Sequence, residues 1–130
     1  MGNKGSALTM LDRFREAEGY LLEAVELAPD NSEHHVSIGL LYYKLNEYDR
    51  SREEYLSAVK LGTKRVDVFF NLGLIFDASG KYEEALTFME KAISLDPESH
   101  EVLNNYGATL HKTGRYHDAI KSYLRSLQTD

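Results

Sequence analysis

The feature that most constrains this chain is a spacing of 34 residues. Gly39, Gly73 and Gly107 lie 34 apart, and so do Tyr48, Tyr82 and Tyr116. Pro29 and Pro97 are 68 residues apart, two of the same periods. Small residues, aromatics and prolines held in phase mark one supersecondary unit copied along a chain, and such units stack because none buries its apolar face alone. The unit is clearest over residues 66–99. Phe69, Leu72, Gly73 and Phe76 fall on one face of a first helix, and Tyr82, Ala85, Met89 and Ala92 on one face of a second. Gly80 supplies left-handed backbone for the turn between them. Asp96-Pro97 ends the second helix, since proline has no backbone donor. The chain is therefore expected to be all-α, each unit being an A helix, a tight turn and a B helix.

These residues carry a family resemblance. The central unit resembles the tetratricopeptide repeat (TPR), with Phe69, Leu72, Gly73, Phe76, Gly80, Tyr82, Ala85, Ala92 and Pro97 on its signature positions. Phe69 stands where Trp is common, and Met89 where an aromatic is usual. The resemblance covers nearly the whole chain. It implies a right-handed α-solenoid of antiparallel helix pairs, read as a single TPR domain over 1–130. A partial repeat takes 1–31, and repeats take 32–65, 66–99 and 100–130. In the partial repeat a B helix is expected from Asp12 to Ala28, and Ala7 to Met10 are the remnant of an A helix. In the next unit Ser51 replaces the small Ala between the helices, and its hydroxyl is expected to bond back to a carbonyl one turn earlier. Thr63 replaces the terminal Pro, with Gly62 as the cap. In the last unit the face around Tyr123, Leu124 and Leu127 is expected to have little cover, which favours a fragment of a longer array over self-pairing of the end.

Gly39, Gly73 and Gly107 sit mid-helix, where Gly costs about 1 kcal/mol against Ala. That cost is tolerated where a neighbouring helix must come close, and the bulky in-phase tyrosines of the B helices are expected to supply such neighbours.

Charge narrows the function classes. Fifteen Lys and Arg against 21 Asp and Glu give a net charge of −6. Nucleic acid needs a basic face, so it is not an expected partner, and the helical repeats that read RNA bases are disfavoured with it. There is no Cys, so no disulfide or thiolate metal site can form. No apolar run suits a membrane span or a secretory signal, and a cytoplasmic location is expected. The opening MGNKGS fits an N-myristoylation pattern at Gly2, read here as a chance match, so a membrane partner is not expected.

Catalytic constellations are not found in the sequence. It has no Gly-rich phosphate loop and no HExxH. His34, His35, His100, His111 and His117 never stand three or four apart, so no single helix offers a metal pair; they read as surface or boundary histidines. No enzyme activity, metal or cofactor is expected.

The resemblance also implies where a partner would sit, because in TPR arrays the A helices line a concave groove. Carried over residue by residue, the groove takes Glu33, Val36, Ser37, Leu40, Tyr43 and Lys44 from the second unit. It takes Asp67, Phe70, Asn71, Leu74, Asp77 and Ala78 from the third, and Glu101, Asn104, Asn105, Ala108, His111 and Lys112 from the fourth. Glu33, Asp67 and Glu101 form an acidic row, which would also suit the helix dipole. Asn71 and Asn105 align; such amides hold peptide backbone in many TPR grooves because they both donate and accept. Val36, Leu40, Tyr43, Phe70 and Leu74 would make an apolar strip. The cations by which some TPR domains clamp a C-terminal carboxylate are not matched, because Asp67 and Glu101 stand there. The reading is a protein-interaction scaffold for an extended or helical peptide with apolar anchors and basic flanks. Alternatives are self-assembly as a homo-oligomer through the repeat ends, or the recognition arm of a larger multidomain protein.

Overall fold

A computed structural model describes residues 3–128, with side chains from residue 13 onward. Among these residues there are seven helices and no strand: α1 (Asn3–Leu27), α2 (Ser32–Lys44), α3 (Tyr48–Lys60), α4 (Val66–Ala78), α5 (Tyr82–Leu95), α6 (His100–Lys112) and α7 (Tyr116–Gln128). Gly2 lies outside them. The chain divides into two units, the first ending at Thr63 and the second starting at Lys64.

The helices form antiparallel A/B pairs because each A helix ends on a residue that can turn left. Asn46 (φ 63°), Gly80 (φ 79°) and Gly114 (φ 81°) occupy one phase of the repeat. At each, two backbone bonds close the helix end: Gly80 N–H donates to Asp77 O, and Lys81 N–H reaches back to Phe76 O. Gly62 (φ 92°) does the same for α3, so the missing proline at Thr63 is replaced by a glycine cap, with Thr63 N–H on Ala58 O at 3.1 Å.

The first unit holds α1, α2 and α3, and α1 departs from expectation. No separate A-helix remnant exists over Ala7–Met10; one helix of 25 residues runs through it. The reason lies in the turn phase. Where later repeats have Asn46, Gly80 and Gly114, the chain has Asp12, and no glycine stops the helix. Asn31 caps α2, its side-chain oxygen accepting from Glu33 N–H at 3.0 Å. Between α2 and α3, Tyr55 lies across Gly39: a Cβ there would fall 2.7 Å from Tyr55 Cδ1. Ser51 also differs from expectation. Its hydroxyl donates across the pair to Gly39 O at 2.7 Å, not back along its own helix.

The second unit holds α4 to α7. Its core centres on Val68, Leu72, Met89 and Leu103, all at most 1% exposed. Gly73 admits Met89 (2.7 Å from an added Cβ to Cγ), and Gly107 admits Tyr123 (2.9 Å to Cε1). The mid-helix glycines therefore mark close helix approach in all three pairs. Ser122 repeats the Ser51 device, donating to Leu103 O at 2.7 Å. Leu86, Leu110 and Ala119 make a second cluster with Tyr106 against it, joining α5 to the last pair.

Candidate peptide-binding faces

On α2, Leu40 and Tyr43 are half-buried, and Tyr43 meets Tyr48 edge-on at 5.4 Å. Glu33 is exposed in the first turn. Val36 is only 2% exposed and belongs to the core. The A helix packs on two sides, against α1 and α3. Its apolar stripe is accordingly wider than a single-partner helix needs, and Val36 falls inside it.

The second unit carries two A helices. On α4, Asn71 and Leu74 are half-buried and Asp67 is exposed. Phe70 is 8% exposed and packs inward for the same reason as Val36, since α4 touches both α5 and α6. On α6, Glu101 and Asn104 are exposed and Asn105 is half-buried. The Asn105 amide nitrogen donates to Glu101 O at 2.8 Å, so one of its two N–H donors serves its own helix. His111 is exposed and meets Tyr116 edge-on at 4.9 Å. Asp67 is chelated by Arg65, Nε at 3.1 Å and Nη2 at 2.8 Å, so the acidic row is partly neutralised at this point.

Sequence reading missed the polar latch between α4 and α6. Asp77, 17% exposed at its side chain, accepts from Thr109 Oγ1 at 3.2 Å and from Lys112 Nζ at 2.8 Å. Lys112 also lies 5.8 Å above the Tyr82 ring. The hydrogen bond to Asp77 is the main cause that raises the Lys112 ammonium above its ordinary pKa, opposed by burial. The latch fixes the spacing of Leu74 from Ala108 and His111. Its sequence signal is a carboxylate and a lysine 35 residues apart, one period plus one residue.

The histidines split. His35 is buried, not at the surface: its Nε2–H donates to Pro29 O at 2.9 Å, and Nδ1 lies 3.1 Å from Glu54 Oε2. Among the described residues no group of three His, Cys, Asp or Glu could hold a metal ion. No described helix is long and apolar enough to cross a membrane.

Sequence profiles described as tetratricopeptide repeat match residues 4–66, 66–99 and 88–121. The chain belongs to the tetratricopeptide repeat family. Solved structures agree on the fold. The TPR chain is similar to YrrB, described as a TPR protein with an unusual peptide-binding site, at a TM-score of 0.86 and 20% identity, covering 98% of this chain and 66% of YrrB. It is similar to MamA at a TM-score of 0.84 and 22% identity, covering 96% of this chain and 73% of MamA. No curated protein sequence matches it. Identities this low establish the α-solenoid fold of helix pairs and leave partner choice to the residues themselves.

Proposed function

We propose that this TPR protein is a non-catalytic interaction scaffold that holds an extended or helical peptide segment against its A helices. The observation that carries the reading is the face shared by α4 and α6. There the half-buried Leu74 and Ala108 lie with Asn71, Asn104 and Asn105 on two helices latched by Asp77. An apolar strip edged by amides suits a peptide: the side chains anchor, and the amides take its backbone. Leu40 and Tyr43 present a similar mixed face on α2. A peptide-binding TPR of the same fold, YrrB, supports the reading. Exposed Glu101 and the net charge of −6 favour basic flanks on the partner.

The test is selection from a displayed peptide library on the intact chain, followed by titration of the selected peptides against Leu74→Ala and Asn105→Ala. Leu74→Ala is expected to weaken binding about tenfold, roughly 1.4 kcal/mol, with the helical spectrum unchanged. Equal affinity for the parent and both variants would place the partner elsewhere. Phe70→Ala is unsuited to this purpose, because that side chain is in the core.

A second reading, self-assembly, is favoured by α7. Tyr116, Ile120, Leu124 and Leu127 are between 53% and 73% exposed along one helix. Leu86 of α5, one period before Ile120, is 2% exposed under α6. If copies associate through α7, the mass by light scattering rises with concentration, and Ile120→Asp abolishes the rise. A constant monomer mass removes this reading.

A further inference from the structure

Three positions of the repeat differ in kind between the third and fourth repeats. In the third they are Phe69, Phe76 and Phe88. The Phe88 ring lies 5.4 Å from Phe76 at an interplanar angle of 6°, and 6.4 Å from Phe69. One period later the same positions are Leu103, Leu110 and Ser122. The ring that packs α5 onto α4 has no counterpart between α7 and α6. In the second repeat the positions are His35, Tyr42 and Glu54, and the hydrogen bond between His35 and Glu54 spans the corresponding space.

The fourth repeat therefore has an open cleft where the third has a ring. It measures about 450 Å³, and Leu103, Leu110 and Ser122 are among its lining residues. Ile93 of α5 and Tyr106 of α6 form a wall, both half-buried. Tyr106 stands where the earlier repeats have Ile38 and Leu72, each 0% exposed. Its hydroxyl donates to Glu90 at 2.9 Å, which ties that acid to the wall. Lys121 and Arg125, one turn apart on α7, reach the rim with Asp118. Neither cation has an ion-pair partner among the described residues.

The third repeat also shows what such a rim cation does. Lys91 lies 6.0 Å over the Phe69 ring, and Arg125 is the residue one period after Lys91. Arginine is the better partner for an aromatic face. An apolar floor, a site one ring short of its neighbour and a guanidinium at the ring-facing phase with no ion pair among the described residues fit the same occupant.

We propose that the cleft between α5, α6 and α7 is a second binding site, which takes one aromatic side chain of a protein partner where Phe88 sits in the preceding repeat. It is independent of the A-helix faces, and a partner using both would gain by linkage of the two contacts.

The test is a titration of the methyl-labelled full chain with N-acetyl-phenylalanine amide, read by NMR. Saturable shifts at the Leu103 and Leu110 methyls are expected, with a Kd on the order of a millimolar for so small a probe. N-acetyl-alanine amide should leave these resonances in place. Arg125→Ala, a surface change, should weaken the phenylalanine probe roughly three- to fivefold, as expected for a lost cation–π contact. Ser122→Phe should fill the cleft from within and remove the shifts; Leu110→Phe does so from the opposite wall if Ser122→Phe fails to fold. No shift in the parent protein overturns the proposal, as do equal shifts with the alanine probe. Methyl shifts that follow protein concentration without any probe also overturn it, since a second copy would then be the occupant. Leu74→Ala should leave the probe's affinity unchanged, which separates this site from the A-helix face.

Discussion

The second and fourth repeats each lay a tyrosine across a glycine, and the two tyrosines have different freedom. An added Cβ on Gly39 would meet Tyr55 at 2.7 Å, and one on Gly107 would meet Tyr123 at 2.9 Å. Yet Tyr55 is 1% exposed and Tyr123 is 38% exposed. The close approach of A and B helices is thus made inside each pair by residues in phase. How rigidly the ring is held depends on what covers its outer side. In α5, the same position is Met89, 0% exposed over Gly73, so a fully covered knob is the rule and Tyr123 the exception.

Removing the knobs should give the largest contrast. Tyr55→Ala is expected to cost on the order of 3–5 kcal/mol, the range for deleting a buried aromatic. Tyr123→Ala should cost about 1–2 kcal/mol, since much of the ring is already in water. Urea melts of the two variants beside the parent measure this; similar losses would break the comparison.

Filling the holes gives a smaller contrast that should differ in sign. Gly39→Ala puts a methyl into a ring with nowhere to go, an overpacking cost of about 1–3 kcal/mol. The better helix propensity of Ala returns only about 1 kcal/mol. A net loss is expected. In Gly107→Ala the Tyr123 ring turns outward, and the propensity gain remains, so stability should hold or rise by up to about 1 kcal/mol. Thermal melts decide it. A loss at Gly107 equal to that at Gly39 would mean that Tyr123 is as tightly held as Tyr55.

These contrasts also mark what could be read from the chain alone. The period located every glycine approach, the A–B turn at Gly80 and the replacement cap at Gly62, because each is a local demand written in one or two residues. Three things were not legible. The A-helix remnant failed because Asp12, at the turn phase, lacks the left-handed freedom that Asn46, Gly80 and Gly114 use. Val36 and Phe70 went to the core because the width of a buried stripe depends on how many helices pack against it, and one helix's sequence does not state that number. Ser51 bonded across the pair, to Gly39 O, because the facing helix brings that carbonyl within reach, a tertiary fact. The cleft of the fourth repeat was present in the sequence as Phe88 set against Ser122. Its meaning needed the stacked rings of the third repeat for comparison.

The smallest expected effect concerns Tyr106, the one phenol at a phase otherwise filled by the fully buried Ile38 and Leu72. Burial is the main cause that pushes its pKa up to about 12 from 10.0, helped by its bond to Glu90 and by the charges of Glu90 and Asp118, with Arg115 pulling the other way. The neutral phenol is the form the fold favours. Its stabilisation is therefore complete below about pH 10 and is lost as the pH rises through about 12. Site-resolved NMR of labelled tyrosines should show Tyr106 ionising only near pH 12. Glu90→Gln keeps an acceptor and removes the charge, so the Tyr106 midpoint should fall, while stability at neutral pH stays within about 0.5 kcal/mol of the parent. If Tyr106 instead titrates near the ordinary value of 10.0 in the parent, the wall of the cleft is open to water, and the fourth repeat is looser than its hydrogen bond to Glu90 implies.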